Sequence, residues 1–275
     1  MKFFTKIIES IVLSIRQSRQ KTRLDAISAL TTGIAHEFGQ PITNIRFTVQ
    51  FYRRKFEKES EDGKIDREEV FKIFDSILEE TQRLGALNKR LSPLTSSRSV
   101  TETFDVVERI RKRLEAEDLR IRSSNITVEV SSNKGAVSLN ADPVIFDQLI
   151  NNLLVNSIDA INEKKVQVRG KIAIRITGDY NKDILSRDIL TLLPRNYIKD
   201  YIRLEFEDNG IGIPEKAREK VFHPFFTTKP AGKGEGLGLF IVRNILKMYG
   251  GAISIDETFN DGTRFIITIP KEIEF

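Results

Sequence analysis

The sequence predicts a two-unit α+β protein, a helical hairpin followed by an α/β sandwich. Two patterns predict this order. Apolar residues recur every three or four positions through the first third of the chain, which is the period of an α-helix. After a stretch rich in Ser and Thr, short apolar runs typical of strands alternate with helical segments. With 275 residues the chain is long enough for two domains with separate cores.

The first helix of the hairpin is predicted from one long apolar stripe. Its members are spaced by 3, 4, 4, 3, 4, 4, 3 and 4 residues: Ile27, Leu30, Ile34, Phe38, Pro41, Ile45, Val49, Tyr52 and Phe56. Such spacing places them on one face of a helix. Upstream, the pattern continues through Ile7, Ile11, Ile15 and Leu24, so the helix should begin near residue 5. We assign residues 1–24 to a coiled-coil-like helix, with the alternative that this stretch lies on a membrane surface.

A second helix should follow the polar run 57–66 and end before Pro93. Its apolar face comprises Val70, Ile73, Phe74, Ile77, Thr81, Leu84, Leu87 and Leu91. Residues 25–95 then form an antiparallel hairpin with no third helix to cover it. A second copy of the chain would close a four-helix bundle, so we expect a homodimer. The helical period stops at residues 96–103, which we interpret as a linker.

Residues 104–275 are predicted to form a domain in which helices cover a sheet. Helices are expected at 105–119, 143–163 and 236–249, and strands at 127–130, 171–177, 202–208, 252–257 and 263–269. The segment 178–200 lies where the predicted topology requires only a turn between two strands. Its apolar residues suggest a short amphipathic helix, to which the sequence assigns no role.

Composition excludes several kinds of function. The net charge is +5, but the 44 basic and 39 acidic residues are interspersed, so we expect no nucleic-acid partner. The absence of cysteine excludes thiolate chemistry and cysteine-bound zinc, so any metal must be bound by oxygen or histidine ligands. It also suits the cytoplasm. The opening stretch is too short and too charged for a transmembrane segment.

Polar side chains line one face of the predicted helix 143–163. Asn152, Asn156 and Asp159 are spaced i, i+4 and i+7, which places them on the same side. An amide oxygen can complete the coordination of Mg²⁺ without adding charge that repels a nucleotide, so Asn156 is a candidate metal ligand. Asn152 is a candidate for binding the phosphates. Helix-surface amides are the alternative for both asparagines.

Two glycine clusters suggest a nucleotide site. Asp208 ends a predicted strand and is followed by Gly210 and Gly212, where a buried carboxylate could accept a hydrogen bond from an adenine amine. Gly234, Gly236, Leu237 and Gly238 lead into a helix whose N-terminus suits phosphates. A plain turn and a flexible loop are the alternatives. The intervening stretch 221–229, with Phe222 and Lys229, could fold over nucleotide as a lid, and Lys229 could contact a phosphate.

The order of these motifs resembles the histidine kinases of bacterial two-component systems, whose ATP-binding domain has the Bergerat (GHKL) fold. NNLLVNSIDA resembles the family's N box, EDNGIGIP its first glycine box, VFHPFFTTK its F box, GKGEGLGL its second glycine box, and DGTRFIITIP, with Gly262 and Thr263, its third. The resemblance covers nearly all of residues 25–270 and implies ATP and Mg²⁺ as ligands. No GxxxxGK[ST] motif occurs, so a P-loop is excluded.

His36 is the candidate phosphoacceptor. It lies about 200° around the helix from Ile34, so its imidazole should be exposed. AHEFGQP resembles the family's H box, in the subgroup with Gln-Pro at this point. The resemblance implies that Glu37 acts as a general base and that Gln40 positions water for dephosphorylation of a partner. Pro41 should bend the helix, as a signalling hinge or as a tolerated kink. His223 is interpreted as a surface variant within the F box.

The resemblance implies ATP-dependent autophosphorylation of His36, followed by phosphotransfer to an aspartate of a response-regulator receiver domain in trans. An upstream sensor protein or domain would be a further partner. Two alternatives stay open. An ATP-driven clamp shares the nucleotide fold but lacks an H box, and a pseudokinase scaffold would present the hairpin without phosphorylating it.

Overall fold

The computed structural model describes residues 2–59, 66–95, 100–164, 169–180, 200–229 and 234–272, with the backbone alone at 2–19, 23, 31, 32, 59, 93, 179 and 180. The chain divides into two compact units, Ala26–Thr95 and Met1–Asp25 with Ser96–Phe275. The amphipathic helix expected within 178–200, Gly232 and part of the 96–103 linker lie outside the described residues. No helix in the described ranges is long and apolar enough to cross a membrane.

The unit Ala26–Thr95 is an antiparallel helical hairpin. Helix α1 spans Lys2–Glu59, with Pro41 inside it, and α2 spans Arg67–Thr95. Asn44 donates a hydrogen bond to Glu80 over 2.9 Å, and Lys55 forms an ion pair with Glu69. The residue number rises by 11 along α1 while it falls by 11 along α2, so the two helices run in opposite directions. The predicted hairpin is therefore confirmed.

The apolar stripes meet inside the hairpin, with three exceptions. Leu30, Pro41, Ile73, Leu87 and Leu91 are buried, as the helical period predicts. Val49 and Phe74, which the sequence assigned to the packed faces, are instead 47% and 60% exposed. Thr81 is exposed as well, and so is Leu24, upstream of the hairpin. Phe74 follows the buried Ile73, and neighbouring residues of a helix point about 100° apart, so only one of them can face the partner helix.

The second unit contains a mixed five-stranded sheet in the order β2-β4-β5-β7-β6. Strand β2 (Ile126–Ser132) runs parallel to β4 (Gly170–Tyr180). Strands β5 (Tyr201–Asp208), β7 (Thr263–Pro270) and β6 (Ala252–Ile255) continue the sheet with antiparallel pairs. Every second residue of β5 is buried, from Ile202 to Asp208, so the strand turns one face to a core.

Helices form the second layer of this unit. They are α3 (Val106–Ala116), α4 (Asp118–Ser123), α5 (Pro143–Glu163) and α6 (Gly238–Tyr249). The fully buried side chains of α5 and α6 include Phe146, Leu153 and Ile245. The side chain of Asp142 caps α5 by accepting hydrogen bonds from two backbone N–H groups, and Pro143 occupies the first turn. The observed layers confirm the predicted α/β sandwich.

Several details differ from the sequence-based expectation. Helix α2 does not end before Pro93 but continues to Thr95, because a proline close to the end of a helix removes only one of its hydrogen bonds. The single helix expected at 105–119 is two helices, because the chain turns at Glu117 between α3 and α4. Strand β1 (Glu102–Asp105) begins inside the stretch assigned to the linker and pairs with an unpredicted strand, β3 (Ser138–Ala141). Strand β4 continues past residue 177 to Tyr180, with an irregular register between Thr177 and Tyr180.

Candidate active site

Asp208, at the end of β5, is a buried carboxylate held by donors from three directions. Its Oδ2 accepts a hydrogen bond from the Ser157 hydroxyl of α5 at 2.8 Å, and its Oδ1 accepts one from the Gly210 backbone N–H at 2.9 Å. Burial raises the pKa of Asp208, while hydrogen bonds from Gly210, Ser157 and the backbone of Thr263, and the charge of Lys164, act to lower it. The site thus keeps a desolvated acceptor in a fixed orientation.

Ser157 is a residue of the candidate site that the sequence did not single out. It lies between Asn156 and Ile158 in the N box and is only 1% exposed. A buried hydroxyl needs a hydrogen-bond partner, and here the partner is the Asp208 carboxylate. A polar residue on the inward face of an otherwise apolar helix was the available signal.

The turn after Asp208 has no room for side chains. A Cβ at Gly210 would lie 2.7 Å from the backbone of Ala160 in α5. A Cβ at Gly262 would lie 2.1 Å from the Asp208 carbonyl oxygen, and Gly262 has a φ of +121°. A Cβ at Gly212 would lie 3.0 Å from the carbonyl oxygen of Gly262. The first and third glycine boxes therefore meet, with Thr263 opposite Asp208 in the sheet.

The second glycine box meets the N box at the start of α6. A Cβ at Gly238 would lie 3.4 Å from Nδ2 of Asn156 and 3.8 Å from Oδ1 of Asn152. The Nδ2 atom of Asn152 is buried and has no hydrogen-bond partner. Leu237, just before α6, is 2% exposed. An orphaned amide beside a helix N-terminus fits a polar, anionic ligand, and the Asn156 carbonyl oxygen is a donor that Mg²⁺ accepts.

Asp159 joins three elements at the edge of this site. Its Oδ2 pairs with the Lys229 ammonium at 2.6 Å, and its Oδ1 pairs with Arg120 of α4 at 3.2 Å. Lys229 lies 70 residues away in sequence. A Cβ at Gly234 would lie 3.0 Å from Cδ of Lys229, so the second glycine box packs against this lysine.

The F box packs on the sheet through the ring of Phe222. The ring of Phe222 lies 6.5 Å from that of Phe265 on β7, and the Arg243 guanidinium of α6 lies 5.5 Å from the Phe222 ring centre. Phe225 and Gly236 have φ values of +62° and +65°. A Cβ at Gly236 would lie 2.4 Å from the carbonyl carbon of Phe225, so a side chain does not fit there. These contacts position the chain on either side of residues 230–233.

The H box lies on α1. His36 and Gln40 are exposed, so the predicted exposure of the imidazole is confirmed, and Glu37 is half-buried. No hydrogen bond joins Glu37 to His36, both of which are among the described residues. Consecutive residues of a helix diverge by about 100°, so the base function expected of Glu37 stays a prediction.

Three comparisons place this fold and site among known proteins. Residues 141–273 match the family described as histidine kinase-, DNA gyrase B- and HSP90-like ATPase. Sensor kinase CckA of Brucella abortus (strain 2308) is 30% identical over 94% of this chain and 26% of the relative. The catalytic domain of histidine kinase ThkA is 31% identical over 62% of this chain and 96% of that domain, with a TM-score of 0.50. Histidine kinase ThkA in complex with the response regulator protein TrrA matches 94% of this chain and 66% of that one, with 26% identity and a TM-score of 0.60.

The sandwich and its site define an ATPase domain of the class shared by histidine kinases, DNA gyrase B and HSP90. Within that class, the similarity to CckA and ThkA is specific: the chain belongs to the sensor histidine kinases of two-component systems. The chain spans about a quarter to about half the length of the curated relatives it matches.

Proposed function

We propose that this chain is the kinase core of a two-component sensor: it uses ATP to phosphorylate His36 and passes the phosphoryl group to an aspartate of a response regulator. The observation that carries the proposal is the combination of an exposed histidine on α1 with the buried Asp208–Ser157 pair in an ATPase domain of the histidine kinase family. Neither feature alone would separate a kinase from an ATP-driven clamp.

In this proposal each part of the site has a separate function. Asp208 accepts a hydrogen bond from the adenine amine, which makes the site selective for adenine over guanine. Asn152 and the N-terminus of α6, with Gly234, Gly236 and Gly238, bind the phosphates. Asn156 would hold Mg²⁺, which when bound supplies positive charge against the phosphates.

The acceptor chemistry requires a free imidazole nitrogen. The exposed His36 ring can present a lone pair to the γ-phosphorus, and the bond from γ-phosphorus to the ADP oxygen breaks as the P–N bond forms. Glu37 would take the proton from the other ring nitrogen, and Gln40 would position water for dephosphorylation of the regulator. The resulting phosphohistidine is the donor to the regulator's aspartate.

Labelling with γ-³²P ATP tests the acceptor directly, because the chain has only two histidines. We expect acid-labile label on the wild type and on His223→Gln, and none on His36→Gln. Label that persists in His36→Gln would contradict the assignment. Mg-dependent ATP binding without any labelling would identify a clamp or a pseudokinase scaffold instead.

We also propose a homodimer built through the hairpin. Large apolar side chains on both helices are exposed in the single chain: Ile42, Phe47, Val49, Phe51, Phe71, Phe74 and Leu78. A second hairpin would remove them from water and complete a four-helix bundle.

The partner in signalling would be a receiver domain. ThkA was solved in complex with the response regulator TrrA, which supports a partner of this type. A cytoplasmic location and an upstream sensor belong to the same proposal. Phosphotransfer from labelled protein to a panel of receiver domains would identify the cognate regulator. Label that stays on His36 with every receiver would contradict this step.

A further inference from the structure

Asp159 is a negative charge at a place where the proposed function needs to bind anions. It lies one helical turn from Asn156, whose amide contacts the start of α6. A carboxylate close to a triphosphate repels it unless a cation compensates the charge, and the repulsion is strong in a partly desolvated site. The charge of Asp159 therefore has to be neutralised when the nucleotide is bound.

Two cations share this carboxylate without competing for the same oxygen. Lys229 takes Oδ2 at 2.6 Å and Arg120 takes Oδ1 at 3.2 Å. Lys229 is the more enclosed of the two, with 20% of its side chain exposed, and it packs against Gly234. Arg120 reaches Asp159 from α4, which contributes no residue to the glycine boxes.

Lys229 has a second use once a nucleotide is bound. It is the last residue of the F box and packs against Gly234 of the phosphate-binding glycines, so its ammonium can pair with a phosphate in place of Asp159. Such an exchange would leave Asp159 unpaired beside the phosphates unless another cation stayed with it. Arg120 already contacts the other carboxylate oxygen, so its ion pair can persist when Lys229 leaves.

We propose that Arg120 is a positioning residue for the nucleotide, which keeps Asp159 paired while Lys229 turns from that carboxylate to the phosphates. The inference rests on the proposed ATP-binding function and adds to it a residue outside every motif. The contribution of Arg120 to nucleotide affinity should therefore grow with the number of phosphates on the ligand.

Calorimetric binding of adenosine, ADP and ATP to the full chain tests this claim. We expect Arg120→Gln to weaken ATP binding about fivefold, ADP binding by less and adenosine binding not at all, a size set by a pair that is partly exposed. Arg120→Lys should restore most of the ATP affinity because it keeps the charge. Arg120→Met, which keeps the side-chain stem, serves as a second neutral variant.

Arg122 provides the matched control. It lies on the same short helix and carries the same charge, but its partner is Asp118, at 2.8 Å. Arg122→Gln should bind all three ligands like the wild type. In an Asp159→Asn background, Arg120→Gln should cause no further loss, because the charge it compensates is gone.

Each outcome decides the matter. An equal loss for adenosine and ATP would mean that Arg120 acts through packing, and an unchanged ATP affinity would mean that it has no part in binding. Either result overturns this inference and leaves the kinase proposal intact. A wild-type chain that binds no ATP would overturn both.

Discussion

At the scale of single residues, Ser157 connects the N box to Asp208, the carboxylate that we propose binds adenine. Its hydroxyl donates to Oδ2 of Asp208, and both residues are buried. We expect Ser157→Ala to weaken ATP binding by about 1 kcal/mol, roughly fivefold, because one oxygen of a buried carboxylate loses its donor. Isothermal titration would measure the change. Ser254→Ala, at an exposed position on β6, is the control, and equal affinities for both variants would rule out this function of Ser157.

The buried carboxylate of Asp208, which we propose binds ATP, should lower the free energy of unfolding when it is charged. Because burial raises its pKa, the folded protein binds this proton more tightly than the unfolded chain does. Its favourable contribution to stability is therefore complete below the unfolded pKa and is lost as the pH rises through the folded pKa. Above the folded pKa, the folded protein holds the charged form of Asp208 at a cost in stability.

The variant Asp208→Asn separates these two effects. We expect it to melt at a higher temperature than the wild type at pH 7, with the difference shrinking as the pH falls and the wild-type carboxyl becomes protonated. ATP binding should be lost, because the acceptor for the adenine amine is gone. Melting curves from pH 4 to pH 8 check the sign, and Glu257→Gln, at an exposed position, should show neither effect. A lower melting temperature at pH 7 would contradict the cost assigned to the charge.

The sequence identified most residues around the site but not their contacts. Asp208, Asn152 and Asn156 follow from residue type and helical spacing, since an i, i+4 pair must share a face. The pair between Asp159 and Lys229 spans 70 residues and could not be predicted. It depends on where the end of the F box passes α5, and local periodicity carries no information about that path. Ser157 was missed for the same reason, because its partner, Asp208, is distant in sequence.

At the scale of elements, boundaries were predictable where a local signal marks them. Helix α5 begins at Pro143 and ends at Glu163 as expected, because Asp142 and Pro143 form a recognisable start. Strands β1 and β3 have four residues each and pair across the sequence, so neither has enough length to show a period. The turn between α3 and α4 at Glu117 contains neither Gly nor Pro, so the sequence does not indicate that the helix breaks there.

Gly39, three residues after His36, gives a prediction about α1. A methyl group at Gly39, or at Gly85 of α2, would meet no atom within 4 Å in this chain. Close packing therefore does not explain Gly39, and alanine should stabilise either helix by about 1 kcal/mol. We expect both variants to melt at a higher temperature, but only Gly39→Ala to slow autophosphorylation several-fold, because it stiffens the turn between His36 and Pro41. Equal initial rates of labelling in the two variants would show that flexibility at Gly39 is not used.

At the scale of the whole molecule, the exposed apolar side chains of the hairpin predict its oligomeric state. Phe47 of α1 and Phe74 of α2 are 70% and 60% exposed, and each would contribute about 1.5–3 kcal/mol if a second hairpin buried it fully. We expect the wild type to sediment as a dimer and the double variant Phe47→Glu/Phe74→Glu as a monomer. Val144→Glu is the matched control, since Val144 is 68% exposed but lies on α5. A dimer that survives the double substitution would place the interface elsewhere.

The division into two compact units predicts two kinds of response on heating. A ligand that binds only the folded state stabilises the unit that holds it, by about 2.7 kcal/mol at a concentration 100 times its Kd. We expect MgATP to raise the transition of the unit containing Asp208, and a higher protein concentration to raise the transition of the hairpin, because dimerisation stabilises it by mass action. Scanning calorimetry of the wild type and of Asn156→Ala separates the two, since the variant should lose the response to MgATP and keep the response to concentration. One transition that moves equally with both would mean that nucleotide binding and dimerisation stabilise the same folded unit, and the assignment of ATP to one unit and association to the other would be wrong.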